Sequence, residues 1–481
     1  MVFTVARIIL VLIGIIGSSF IIPIFTALFC HEFQVLPSFI VPMLISWILM
    51  AAGLFLLKKS KAALSTRASF VTVALAWISA SIFGAIPLYF SGAIPSVTDA
   101  FFESCSGFST TGSSIIENVE SLPRSINMWR CQTNWLGGMG IVALTVALLP
   151  LLGVGGFQLI KAETTGPEKG KLTPKIATTA KVLWFIYLGL TVSLAILLRI
   201  SGMDTIDSIA HAFSTLGSGG FSTKNASIGA YPSQAIHIII TVFMFLSAVN
   251  FSMYYYLIRG KFQDIRRDSE FKAYVFICIF VTLAITFIEM ADYGSFIKSF
   301  RYSAFQTISV ISTTGYSISD FTTWRPAAQA LILMLFFTGG SSGSTAGGIK
   351  IIRWIVLGKQ LKNEIKKMLH PHGVFSIRIN RQTGRKDIVF TVAAFFMAYA
   401  ILAFITTFLG CLFKLDLFTS FTASISTLGN VGPAFNALGP SHSWAFIPSP
   451  LKWWYSFMMI AGRLEFFTVI IFMSPSFWKK H

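Results

Sequence analysis

The sequence predicts an all-α polytopic membrane protein, and three observations carry the prediction. Of 481 residues, 54% are hydrophobic and only 12% charged, whereas soluble domains carry about 25% charged residues. The apolar residues gather into runs of about 20, the length a helix needs to cross a hydrocarbon layer of about 30 Å. The strand-type alternation of a membrane barrel is missing, so the spans must satisfy their backbone groups as helices.

Two apolar runs, at 2–28 and 38–57, open the chain as an N-terminal two-helix extension, closed by Lys58, Lys59, Lys61 and Arg67. The first is too long for the apolar core of a signal peptide and lacks a small-x-small cleavage site, so it is expected to stay as a span. Four times after that, a long apolar run leads into a shorter mixed segment, a Ser/Thr/Gly-rich loop and a second apolar run. The leading runs are 68–90, 178–200, 273–290 and 388–413; the trailing runs are 129–152, 235–258, 327–357 and 451–473. Ten crossings result. The expected units are an extension over 1–67 and pore repeats over 68–177, 178–272, 273–386 and 387–481.

The net charge of +18 would suggest nucleic acid in a soluble chain, but Lys and Arg collect in the cytoplasmic loops of membrane proteins. With ten spans, the segments on the side of the termini hold 27 Lys and Arg and the opposite loops nine, with Arg463 inside the last span. That asymmetry places both termini in the cytoplasm and the Gly-rich loops outside. Cys30, Cys105, Cys131, Cys278 and Cys411 are odd in number and never form CxxC; they read as small apolar residues. The seven histidines show no metal-ligand spacing.

The four loops align without gaps as Phe108-Ser109-Thr110-Thr111-Gly112, Phe213-Ser214-Thr215-Leu216-Gly217, Ile311-Ser312-Thr313-Thr314-Gly315 and Ile425-Ser426-Thr427-Leu428-Gly429. A single Ser-Thr-x-Gly is ordinarily a helix cap or turn. Four copies at the spacing of the apolar modules mean duplicated units around an axis. Each follows a segment of about ten residues, too short to cross, that reads as a re-entrant pore helix. Its inward C-terminal end carries about half a negative charge. The following carbonyls can replace a cation's hydration shell, with glycine supplying backbone angles denied to other residues. The expected filter residues are therefore Thr110, Thr111, Gly112, Thr215, Leu216, Gly217, Thr313, Thr314, Gly315, Thr427, Leu428 and Gly429, and four such loops suit a desolvated alkali cation. Asp99, Asp207 and Asp416 precede three of the glycines and are expected to cap the pore helices. Lys298 and Arg301 stand there in the third repeat, so a ring of acids is not the selectivity element.

These residues resemble the superfamily of potassium transporters comprising the Trk, Ktr and plant HKT proteins. The resemblance covers nearly the whole chain, and the extra N-terminal pair is similar to the Trk-type pore subunit rather than the eight-span Ktr form. Asn134-Trp135-Leu136-Gly137-Gly138-Met139-Gly140 is similar to a family signature, and glycine in all four loops resembles the potassium-preferring members. The resemblance implies a single-chain, pseudo-fourfold pore carrying K+ as transported ion. It also implies a homodimer in a bacterial plasma membrane, gated by a cytoplasmic nucleotide-binding ring.

Two further features fit. The third trailing run is interrupted over 338–348 by Gly339, Gly340, Gly343, Gly347 and Gly348, a composition that cannot hold a straight helix. It lacks the GK[ST] ending of a phosphate loop, and a plain linker would leave a span of only about 12 residues. An intramembrane gating loop beneath the filter is expected. Arg463 lies mid-span, where a charge costs upward of about 2.5 kcal/mol, and is expected to face the cavity as part of the gate. Glu465, two residues on, cannot face it on one helix, so its partner lies elsewhere. Glu103 and Asn250 read as hydrogen-bonders. The basic loops at 161–181, 259–272 and 350–386 are solvated faces or a docking site for a regulatory partner. Two rival activities remain: an ion-coupled secondary transporter of a small solute, which needs intramembrane carboxylates, and a membrane hydrolase or acyltransferase, which needs a nucleophile with a base.

Overall fold

The computed structural model describes residues 2–57, 65–140, 176–373, 375–380, 382–383, 386–473 and 475–479. Apart from a pairing of Arg378–Ile379 with Gln382–Thr383, its regular elements are helices. The four leading runs form the long helices Thr66–Phe90, Ile176–Ile200, Ser269–Tyr293 and Lys386–Leu412. Exposed Phe185, Phe276, Phe280, Phe404 and Phe408 stud their outer faces, as a lipid-facing surface requires, since lipid tails are as apolar as the side chains.

Each leading helix turns into a short pore helix: Val97–Phe108, Thr205–Gly217, Phe296–Ile311 and Leu417–Gly429. Ser96, Asp204 and Asp416 cap three of these, accepting hydrogen bonds from Asp99 N, Ile206 N and Thr419 N. Of the three acids expected as caps, only Asp416 is one. Asp99 and Asp207 sit one turn further in, bound to Lys452 Nζ at 2.6 Å and to Thr223 Oγ1 and Tyr231 Oη at 2.8 Å.

The trailing runs are not straight spans. Arg124–Gly138 stops at Met139; Gln234–Ser247 bends by 94° into Phe251–Ile258; Pro326–Leu335 is separated from Ile351–Leu369 by the Gly-rich segment; and Ser449–Arg463 ends before Phe467–Ile470. Among the described residues, six helices are long and apolar enough to cross a membrane, or seven with the bent pair. The trailing runs counted among the ten expected crossings are therefore interrupted or end early among the described residues, an interruption the sequence predicts only for the third. The rest of the first trailing run, past Gly140, and the basic residues of 161–175 lie outside the described residues.

The N-terminal extension, Val2–Ser19, Ile21–Phe29 and Leu36–Leu56, packs on repeat 1. Phe20 is fully buried against Phe39, Phe83 and Trp129. Glu32, in the turn, accepts from Arg124 N at 2.6 Å, Ser125 N at 3.0 Å and Ser125 Oγ at 2.6 Å. A carboxylate at a helix N-terminus satisfies orphan donors and meets the positive end of the dipole, so the extension anchors the start of the first trailing helix. The five cysteines are free, with Cys105, Cys131 and Cys278 buried and Cys30 and Cys411 half-buried.

A candidate cation site at the centre of the four repeats

The four loops meet. Built onto the backbone, a Cβ at Gly112 would lie 2.0 Å from Gly219 O; at Gly220, 2.0 Å from Thr314 O; at Gly315, 2.3 Å from Val431 O; and at Gly432, 2.5 Å from Thr111 O. Each glycine thus abuts the carbonyl of the next repeat, and the contacts close a cycle. All four have positive φ, between +71° and +102°, where only glycine is unstrained. Immediately before each lies a residue pair whose first member is left-handed and non-glycine: Thr110, Ser218, Thr313 and Asn430, with φ of 52–58°. The peptide nitrogens of Thr111, Gly219, Thr314 and Val431 donate to Ser106, Ser214, Ser309 and Ser426 O at 2.9–3.0 Å, locking each loop to its own pore helix.

This geometry corrects the register in two repeats. In repeats 1 and 3 the expected Thr110, Thr111, Gly112, Thr313, Thr314 and Gly315 form the loop. In repeats 2 and 4, Thr215, Leu216, Gly217, Thr427, Leu428 and Gly429 form the last turn of the pore helix. The ring is built three residues later, by Ser218-Gly219-Gly220 and Asn430-Val431-Gly432. Gly217 serves packing instead. Its Cβ would strike Asn134 O at 2.3 Å, so the bare backbone lets the first trailing helix cross the second pore helix. Gly137 and Gly462 do likewise against Phe108 O, at 1.9 Å, and Leu428 O, at 2.3 Å. A vestibule lined by Gly112, Gly220, Gly315 and Gly432, with Lys224 and His442 at its rim, opens above the ring.

The left-handed residues tie the foot of the ring to the elements below. Thr110 Oγ1 accepts from Arg463 Nη1 at 3.1 Å; Ser218 Oγ lies 2.8 Å from Thr345 Oγ1; Thr313 Oγ1 accepts from Gly347 N at 2.6 Å; and Asn430 Nδ2 donates to Met459 O at 2.9 Å. The Gly-rich segment runs across this floor. Its neck closes through Gly339 N to Ile349 O at 2.9 Å, and its arch rests on the bend of repeat 2 through Ser341 N to Ala248 O at 2.9 Å and Phe251 N to Gly343 O at 3.0 Å. Gly339 and Gly340 pack within 2.1 Å and 2.8 Å of Gly347 O and Ala248 O at the Cβ position, and Gly343 and Gly348 have φ of +72° and +68°. A side chain at any of the four meets a clash or a strained backbone.

Arg463 occupies the same level. Its guanidinium donates to Thr345 O, Gly137 O and Gly138 O, each at 2.7 Å, so backbone carbonyls of two repeats neutralise a charge held at membrane depth. Glu465 finds its partner in Arg353, at the start of the helix that follows the Gly-rich segment. Glu270 accepts from Ser342 N at 2.8 Å and Ile352 N at 3.0 Å, joining the middle of that segment to the start of the helix after it. Glu103 pairs with Arg130 at 2.7 Å, and Asn250 caps Phe251–Ile258 through Ser252 N at 2.8 Å. Neither Arg130 nor Arg353 is distinguishable in the sequence from an ordinary loop cation.

At the start of the fourth pore helix, hydrogen bonding from Thr419, whose peptide N donates to Asp416 Oδ1 at 2.9 Å, holds the Asp416 carboxyl below its ordinary range. A carboxyl with a lowered folded pKa stabilises the fold above its unfolded value, about 3.9, and loses that contribution as pH falls through the folded value. Asp416→Ala is expected to cost about 1 kcal/mol at neutral pH. Melting curves of the variant and wild type should draw together as pH falls from about 4 through the lower folded value.

Fold and site together define a multi-pass cation-transport protein whose four repeats line one axis with backbone carbonyls. A family model described as TrkH, cation transport protein, matches residues 36–480, and the chain belongs to that family. It is 39% identical over 424 residues, 87% of each chain, to the Trk system potassium uptake protein TrkH of Halomonas elongata. It is 38% identical to TrkH of Escherichia coli K12 over 88% of each, and 34% identical to TrkG of the same organism over 97% of each. The crystal structure of the potassium transporter TrkH from Vibrio parahaemolyticus superposes with a TM-score of 0.87 at 33% identity, covering 100% of both chains.

Proposed function

We propose that the protein is a potassium uptake pore. K+ enters from the outer vestibule, sheds its water against the ring carbonyls and passes inward when the Gly-rich segment and Arg463 move aside. The observation that carries this reading is the closed cycle of glycine and carbonyl contacts among four repeats, which gathers hard oxygens of the kind that replace a cation's hydration shell. The relatives' names, which specify potassium uptake, agree with it. A membrane potential supplies about 2.3 kcal/mol per charge per 100 mV, enough to drive accumulation.

Coupled solute transport fits less well. The buried carboxylates among the described residues, Glu103, Asp207, Glu270, Glu289 and Glu465, are each engaged by a protein donor. The Lys and Arg asymmetry supports cytoplasmic termini. On that side the helix Ile351–Leu369 exposes Leu361, Ile365, Met368 and Leu369 among Lys359, Lys362, Lys366 and Lys367, a surface suited to a regulatory nucleotide-binding ring on a homodimer.

Rubidium tracer influx into liposomes holding the purified chain tests the reading. Arg463→Ala removes the cation beneath the ring and should raise influx by about tenfold, with K+ competing for uptake. Influx indifferent to both K+ and the substitution would overturn it.

A further inference from the structure

Repeats 1 and 4 solve the same local problem differently. After Gly137 and Gly138 the first trailing helix breaks at Gly140, whose φ is +71°. After Gly462 and Arg463 the fourth breaks at the equivalent Glu465, whose φ is +54°, followed by Phe466 at +55°. The break is a Schellman-type terminus, with Glu465 N bonded to Gly462 O at 3.1 Å and Phe466 N to Ala461 O at 2.9 Å, and its left-handed position ordinarily belongs to glycine. A glutamate there carries backbone strain that glycine avoids in repeat 1. Something the carboxylate does must offset it.

What it does is bind Arg353. The pair is buried, with side-chain exposures of 8% and 11%, and joins the first turn of the helix after the Gly-rich segment to the residue two past Arg463. The Arg353 guanidinium also lies 3.8 Å from the centroid of the Phe395 ring, and that ring packs on Phe466 at 5.3 Å. The linkage has a single hydrogen-bonded strand: Arg353 Nη1 and Glu465 Oε1 have no hydrogen-bond partner. A buried ion that loses its partner is costly, so neither residue moves without the other.

We infer that the Arg353–Glu465 pair is the latch that makes the Gly-rich segment and Arg463 act as one gate, holding both beneath the ring in the closed state. The inference rests on the pore reading. Displacement of the Ile351–Leu369 helix pulls Arg353, frees the strained turn at Glu465 and Phe466, and withdraws Arg463 from Thr345 O. Both residues are positioning residues; neither touches the ion.

The test is a mutant cycle on rubidium influx in liposomes containing the full chain alone. Arg353→Met and Glu465→Gly are each expected to raise basal influx about tenfold. The double variant, which removes both charges of the pair and gives glycine its preferred backbone, should show the same tenfold and not the product of the two. Arg353→Lys, which keeps the charge, should stay near the wild-type level. Wild-type influx in the double variant, or a multiplicative effect, would overturn the latch. Arg463→Ala, measured alongside, separates the claims: raised K+-sensitive influx there with silent pair variants rejects the latch alone, while silence in Arg463→Ala as well rejects the pore reading.

Discussion

Gly315→Ala should abolish most potassium influx while leaving the protein folded. The added Cβ falls 2.3 Å from Val431 O and 2.9 Å from Pro433 Cδ, on a backbone with φ of +80°. No flexible side chain stands there to yield, so the carbonyl of Val431 must turn away from the axis. Strain and lost coordination together amount to at least about 2 kcal/mol, which is about thirtyfold in ion occupancy. Gly92→Ala is the control. Its φ is +73°, yet nothing lies within 4 Å of the Cβ position, so it carries similar backbone strain remote from the ring and should leave influx unchanged. Equal loss in both variants would show that general destabilisation, and not the ring, explains the effect.

Arg130→Leu should be the most destabilising single change among the charged residues. Arg130 starts deep in the first trailing helix, 2% exposed, and faces Glu103 of the first pore helix, fully buried. Its Nη1 also donates to Asn127 Oδ1 at 2.9 Å and Ser222 O at 3.3 Å, its Nη2 to Ser114 Oγ at 3.1 Å, and the Phe221 ring covers it at 4.5 Å. Glu103 in turn accepts from Ile115 N at 2.9 Å. The pair therefore fixes the segments that leave the ring in repeats 1 and 2, Ser113–Ile115 and Phe221–Ser222. Removing the cation orphans a buried carboxylate, at about 3–5 kcal/mol. Glu103→Gln combined with Arg130→Leu should recover a large part of that loss, since a neutral amide keeps its acceptor without the charge. Thermal unfolding in detergent reads both, and equal destabilisation by the single and double variants would contradict the account.

The contrast between what is legible in the sequence and what is not follows from the physics of each element. The leading helices are uniformly apolar over a membrane thickness, so composition alone locates them. Their trailing counterparts are apolar runs too, but they break where pore helices press on them, and tertiary contact decides that. The Gly-rich interruption is visible because five glycines leave no helical alternative; the 94° bend at Ala248–Asn250 is not, since it involves no glycine or proline. The loop register is misread in repeats 2 and 4 because Phe-Ser-Thr-Leu-Gly and Ile-Ser-Thr-Leu-Gly mimic Phe-Ser-Thr-Thr-Gly and Ile-Ser-Thr-Thr-Gly in composition. Helix length holds the better signal. Ser96 to Thr110, Asp204 to Ser218 and Asp416 to Asn430 each span 14 residues from cap to left-handed turn. Counting from the caps places the ring glycines at Gly112, Gly220 and Gly432. Repeat 3, whose pore helix begins after Ser295, is one turn longer and finds its glycine by Ser-Thr-Thr-Gly instead.

The most direct test of the central claim is an anomalous difference map from crystals of the protein grown with rubidium in place of potassium. The account predicts density on the pseudo-fourfold axis, coordinated by the carbonyl oxygens of Thr111, Gly219, Thr314 and Val431. Density centred instead on Thr215, Leu216, Thr427 and Leu428, or an axis without rubidium in crystals that bind it elsewhere, would contradict it.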